Sequence, residues 1–198
     1  MIVCSVGDLK HYDGKDAIVT GNRRIEELTR VMDFLRVDDW DVLYRDADSH
    51  LRLDMIPRRD LIAQFERDSK LALDRLQPTM LALPVSSYNQ DHMAVFRAAF
   101  TAARPGVPSI KSFQRIVLGY DNTSLFWSPE REKFHPNFYV DISDFLTAKL
   151  EALSMYESQM RDAIHHSSVQ NVEFTARVRG REVSLDAAEG YMVFRHVL

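Results

Sequence analysis

Apolar positions along this chain fall into short unbroken runs and longer periodic stretches, and the two kinds alternate. The unbroken runs predict strands buried on both faces, and the periodic stretches predict helices with one apolar stripe. Residues 1–6 (Met-Ile-Val-Cys-Ser-Val) predict the first strand. Residues 7–21 are polar and glycine-bearing, which predicts a loop. Asn22 is the expected cap of a helix over residues 23–35, with Ile25, Leu28, Val31, Met32 and Leu35 at helical spacing. Residues 40–44 predict a second strand, 46–52 a loop, and Pro57 the first turn of a helix ending near Leu76. Residues 79–83, an apolar run between Pro78 and Pro84, predict a third strand. A helix over 93–103 follows, stopped by Pro105-Gly106. Residues 113–119 and 138–142 predict two more strands, the latter leading to a helix that Ser143 or Asp144 caps and that runs to about Met160. In the tail, residues 172–178 predict a helix, followed by a loop and a helical or extended run through Tyr191 and Phe194. Strands alternating with helices define an α/β chain: a three-layer sandwich with a mostly parallel sheet covered on both faces. No repeat, low-complexity segment or linker divides it, so one domain over residues 1–198 is expected.

Composition narrows the class. A chain of 198 residues is long enough for a sizeable core, and 45% hydrophobic with 27% charged residues is ordinary for a soluble globular protein. A net charge of -4 argues against nucleic acid or an anionic membrane as partner. The one cysteine, Cys4, excludes an internal disulfide and a cysteine-based zinc cluster, and fits a reducing compartment. Its apolar neighbours make it a small buried hydrophobe rather than a nucleophile. There is no apolar run of membrane-spanning length and no basic start with a long apolar stretch, so the cytoplasm is the expected location.

The candidate chemistry sits in residues 86–92, Ser-Ser-Tyr-Asn-Gln-Asp-His, between the third strand and the helix after it. In open α/β sheets ligands bind at this end of the strands. His92 is of a type that ligates zinc, and Asp91 of a type that orients a ligand. On spacing alone the pair reads more readily as a helix-dipole carboxylate beside an ordinary polar residue. His165-His166 point to different faces, His135 precedes a proline, His11 and His50 fall in loops, and His196 is near the end. The chain has no HExxH, Walker loop or GxGxxG, and Ser86 and Ser87 lack the GxSxG elbow.

Four segments taken in order carry a resemblance. They are Arg24-Ile25-Glu26-Glu27; Asn89-Gln90-Asp91-His92 with the helix to Ala99; Phe134 to Ser143 continuing through Lys149-Leu150-Glu151 to Tyr156-Glu157-Ser158-Gln159; and Ala188-Glu189-Gly190-Tyr191. Together they resemble the PIG-L (LmbE-like) family of zinc-dependent N-acetylglucosaminyl deacetylases, from residue 1 to about 195. The resemblance implies a Rossmann-like fold with one zinc at the C-terminal edge of the sheet. It implies an amino-sugar small molecule or glycoconjugate as substrate, and hydrolysis of its acetamide by zinc-activated water. His92 would be a zinc ligand and Asp91 a catalytic group just outside the metal. Asn89 would stand where the family stabilises the oxyanion, and Arg24 would reach the substrate. A homo-oligomer is compatible with all of this.

One departure is large. The family's first strand ends in Ala-His-Pro-Asp-Asp-Glu, which supplies two zinc ligands and the general base, and this chain has no such run. Residues 1–6 resemble the family's second strand instead. A sheet missing its first central strand is therefore expected, as from a sequence that begins at an internal Met; the competing expectation is that another segment fills the gap and the chain folds as given. The alternative functions are a catalytically inactive remnant or a carbohydrate-binding protein of the same fold. A nucleotide-binding Rossmann domain is disfavoured by the missing glycine-rich turn.

Overall fold

The first apolar run does form a strand, but one that is hydrogen-bonded along a single edge. The computed structural model describes every residue except 11–17, 47, 86, 108 and 130–132. Strand β1 (Ile2–Ser5) leads through a short antiparallel pair, β2 (Leu9–Lys10) and β3 (Ile18–Val19), into helix α1 (Gly21–Phe34). Strand β4 (Asp41–Tyr44) then returns parallel to β1, with Val3 opposite Val42. The β2–β3 pair lies in the stretch expected to be a loop. The cap of α1 is Thr20 rather than Asn22, because the Thr20 side chain accepts the Arg23 N–H at 3.3 Å.

The helix expected from Pro57 to Leu76 is broken in two. Helix α2 (Arg58–Ala63) runs into a π-turn over Gln64–Asp68, and helix α3 (Leu73–Leu76) follows. Ser69 causes the break. Its hydroxyl donates to Asp41 Oδ2 at 2.8 Å and accepts the Leu71 N–H at 3.0 Å, offering the backbone a partner other than the helix ladder.

Strand β5 (Met80–Pro84), helix α4 (Gln90–Ala102) and strand β6 (Ile116–Tyr120) form a second parallel unit. Strand β7 (Phe138–Asp141), helix α5 (Leu146–Ser154), helix α6 (Val169–Arg181) and strand β8 (Ala188–His196) complete the described elements. The extended reading of the tail is the correct one: β8 pairs antiparallel with both β6 and β7, giving the order β5-β6-β8-β7. Helix α5 stops at Ser154 instead of continuing to Met160. The buried Glu27 carboxylate on α1 takes the Ser158 N–H at 2.9 Å and its hydroxyl at 2.6 Å, which removes that N–H from a helical ladder.

These elements make the expected α/β sandwich, but its sheet is interrupted and is not mostly parallel: β1–β4 and β5–β6 are parallel, while β8 runs antiparallel to both β6 and β7. Strands β1 and β4 form one sheet and β5-β6-β8-β7 another, with no ladder between them among the described residues. Both lie under one apolar layer. Ile2, Cys4, Leu43 and Tyr44 of the first sheet and Leu81 of the second pack against Leu61, Phe65, Val95, Ala98, Ala99 and Ala102. Ala98 and Ala102 are fully buried, and their small side chains let α4 approach both sheets closely. On its other face the first sheet is covered by Leu28, Val31 and Met32 of α1 and Ala152 of α5. β1 is thus covered above and below yet, among the described residues, unpaired along one edge. The interruption shows in β5 as well, where Ala82 at mid-strand is exposed. Among the described residues, no helix is long and apolar enough to cross a membrane.

Among the described residues, pairing on one edge alone leaves every second backbone amide of β1 and β5 without a ladder partner. Amide hydrogen exchange is expected to be slowest in β6 and β8, which are paired on both sides, and markedly faster at the unpaired amides of β1 and β5. Equal protection across all four strands would show that the two sheets are joined in solution.

Candidate functional site

The C-terminal ends of β1 and β5 face the same cluster of polar groups. Beyond β1, the chain turns at Gly7, whose carbonyl accepts from Arg24 Nη1 at 2.7 Å. The same Nη1 lies 2.7 Å from Nε2 of His50, and His50 Nδ1 lies 3.1 Å from Ser5 Oγ. His50 is 8% exposed and sits against Gly7 so closely that a Cβ there would fall 2.6 Å from its own Cβ. Burial lowers the pKa of His50, the Arg24 charge lowers it further, and Asp8 opposes both.

Beyond β5, Asn89 caps α4. Its side-chain oxygen accepts the N–H groups of Asp91 and His92 at 3.0 and 3.2 Å, leaving the amide nitrogen as its donor end. Asp91 is buried, and its Oδ1 accepts the Leu53 N–H at 3.0 Å. Burial pushes the Asp91 carboxyl above its ordinary range, against the pull of the Leu53 and Leu51 backbone. Gln90 Nε2 donates to the Leu51 carbonyl at 3.1 Å. The loop from His50 to Leu53 is therefore fastened to Arg24 at one end and to the first turn of α4 at the other. Arg24 and His92 lie at the same end of the fold.

His92 is half-buried, with Nδ1 3.0 Å from Ser87 Oγ and a hydrogen bond to Asn122. Burial lowers its pKa and the Asn122 bond partly restores it. Asn122 also lines a cavity of about 430 Å³ enclosed by the end of β6, by α5 and α6, and by β8. Charges of both signs line it in pairs. Lys149 Nζ meets Glu189 Oε1 at 2.6 Å, and Arg179 meets Asp121 at 3.0 Å. The Tyr191 hydroxyl donates to the other Glu189 oxygen. Burial raises the Glu189 carboxyl, and Lys149 and Tyr191 outweigh it, leaving the group below its ordinary range.

A zinc ion needs at least three protein ligands. Among the described residues, no group of three or more His, Cys, Asp or Glu side chains could hold a metal ion. Around His92 the near partners are Ser87 and Asn122, and the Asp91 carboxylate is turned to a backbone N–H. The described residues do not by themselves make up a zinc site. Elsewhere, His165 and His166 stack at 4.1 Å, with His165 Nδ1 accepting the Ser167 N–H. Cys4 is pushed up to about 12 by burial and is an inert thiol at neutral pH. His11 lies outside the described residues.

Sequence reasoning placed Arg24, Asn89, Asp91 and His92 at one end of the sheet. It passed over His50, which reads as a loop histidine until the fold brings it to Arg24. It also missed the pairings between the four segments. Glu27 meets Ser158, and Lys149 meets Glu189, each joining two of the stretches that carry the resemblance.

No family model matches the chain. Among solved structures, the fold is similar to that of conserved protein TT1542 from Thermus thermophilus, with a TM-score of 0.67 at 21% identity over 91% of this chain and 76% of that one. It is equally similar, at a TM-score of 0.67 and 19% identity, to N,N'-diacetylchitobiose deacetylase from Pyrococcus horikoshii, covering 98% of this chain and 71% of that one. GalB, the 4-carboxy-2-hydroxymuconate hydratase from Pseudomonas putida, shares the fold at a TM-score of 0.54 and 17% identity, over 94% of this chain and 78% of that one. The fold is thus one found both in a deacetylase and in a hydratase.

The Asp91 bond to Leu53 gives a direct test of how the site is held. Asp91→Ala leaves the Leu53 N–H unpaired beside a residue only 2% exposed, and should cost about 1–3 kcal/mol in chemical denaturation. Asp91→Asn keeps an acceptor oxygen and should cost clearly less. Equal losses would mean that charge, not this hydrogen bond, fixes the loop.

Proposed function

We propose that this chain is a deacetylase-like protein of the PIG-L (LmbE-like) type that binds an N-acetylated amino sugar, free or in a glycoconjugate, in the cavity beside His92. The observation that carries the reading is the placement of His92. It is hydrogen-bonded to Asn122, which lines a cavity of about 430 Å³, at the C-terminal ends of the strands, in a fold shared with a chitobiose deacetylase. The lining supports an uncharged, hydroxyl-rich ligand. Its two cations and two anions are mutually paired, so it attracts neither sign strongly. Carboxylate oxygens, ammonium and guanidinium groups and the Tyr120 and Tyr191 hydroxyls supply the mixed acceptors and donors that sugar hydroxyls require. Arg24 and the Asn89 amide nitrogen are the donors assigned to the acetamide.

Zinc is what the family resemblance implies, with His92 as the ligand among the candidates. The described residues bring no second or third ligand and no free carboxylate base to it, so the reading for them is recognition of the acetamide. Its cleavage requires groups that they do not gather. The cytoplasm is the compartment proposed for the protein.

Calorimetric titration with N,N'-diacetylchitobiose, with and without zinc, tests this together with an assay of acetate release. Binding is expected without added metal. Arg24→Ala should weaken it about tenfold, close to 1.4 kcal/mol. Acetate release should be absent. A failure to bind would remove the sugar reading. Turnover lost on chelation would instead show that the residues do complete a metal site.

A further inference from the structure

We propose that His50 is a positioning residue that holds Arg24 with one edge of its guanidinium left open to a ligand, and that it can do so only as the neutral tautomer with its proton on Nδ1. The inference rests on the reading of Arg24 as a ligand-binding residue. Its structural half stands on geometry alone.

A guanidinium nitrogen has hydrogens to give and no lone pair to accept with. Nη1 of Arg24 lies 2.7 Å from His50 Nε2, so Nε2 must be the acceptor and carry no proton. The ring proton is then on Nδ1, where it is donated to Ser5 Oγ at 3.1 Å. The Gly7 carbonyl accepts from the same Nη1, so one corner of the guanidinium is held by two groups on two different segments. Among the described residues no group takes Nε or Nη2 of Arg24. The clamp therefore fixes one edge of a planar fork and presents the other. Gly7 has no Cβ, and the space it leaves is what admits the His50 ring.

The clamp is sensitive to protonation. An imidazolium would put a proton on Nε2 facing the donor Nη1, and would set two cations side by side. Among the described residues, the charged and titratable groups facing His50 are Arg24 from α1 and Asp8 from the turn after β1, with Glu27 acting on Arg24. Burial and Arg24 lower the pKa of His50 from 6.5, and Asp8 is the weaker opposing influence. In the unfolded chain the ring takes its proton near 6.5, while in the fold it does so only at lower pH. Between those two values the unfolded state binds more protons, so stability rises with pH across that window.

Nitrogen-15 NMR of the histidine side chains of the full chain tests the clamp with no ligand present. At pH 7 His50 should show a protonated Nδ1 and a bare Nε2, and should titrate below the ordinary histidine range. Arg24→Met should raise its pKa. A protonated Nε2 at pH 7, or a titration unmoved by Arg24→Met, would overturn the proposal. The second arm is affinity for N,N'-diacetylchitobiose between pH 8 and pH 5. Wild-type affinity should fall at least tenfold as His50 takes its proton. His50→Gln, which keeps an acceptor toward Arg24, should lose that component of the pH profile while binding well at pH 8. His50→Phe should bind weakly throughout. Wild-type and His50→Gln profiles that coincide would overturn the positioning role. If the NMR result is as expected and the sugar binds to no form, the clamp stands and the sugar reading falls.

Discussion

Two sheets that share a core but, among the described residues, no hydrogen-bond ladder set the terms for everything else in this molecule. A continuous parallel sheet fixes its strand ends rigidly relative to one another, because each strand is bonded on both sides. Here, among the described residues, β1 and β5 share apolar packing in place of a ladder, chiefly the alanine-rich face of α4 against Ile2, Cys4 and Leu81. Apolar packing resists separation well but is non-directional. The alignment of the two strand ends must come from directional bonds, and those run through the loop from His50 to Leu53.

That loop explains why the polar residues of the site are occupied with one another. Asp91 takes the Leu53 N–H, Gln90 holds the Leu51 carbonyl, and His50 holds Arg24 and Ser5. Buried polar groups cost stability unless paired, so bonds of this kind are made in full or avoided. One oxygen of the carboxylate that the sequence offers for chemistry is thus engaged in holding the loop. Glu27 behaves in the same way on α1, where its buried carboxylate ends the helix run after α5 by capturing Ser158.

Much of the fold was legible because local signals agreed with the tertiary result. The apolar run between Pro78 and Pro84 became β5, and Asp91-His92 came to lie in the first turn of α4 at its C-terminal end. The misses have a common cause in side chains that outbid local helical preference. Nothing near Pro57 announces that Ser69 will bond Asp41, 28 positions earlier, and break the helix. Nothing near Met160 announces Glu27, which reaches Ser158 across 131 positions. Period counting sees neighbours a few residues away and is blind to such partners. The same blindness hid His50, whose role depends on Gly7 and Arg24 arriving beside it.

The division of labour between the two sheets bears on what the site can do. Arg24 and His50 belong to the first sheet and its connections, while His92, Asn122 and the paired charges of the cavity belong to the second. A ligand spanning both would supply a connection that the backbone does not, and would bind the state in which the strand ends are aligned. Binding energy would then be drawn partly into holding the two halves together, and affinity would depend on the loop bonds that pre-align them. Recognition by such a site is governed less by how many groups line it than by how firmly Asp91 and His50 keep their two ends of one loop.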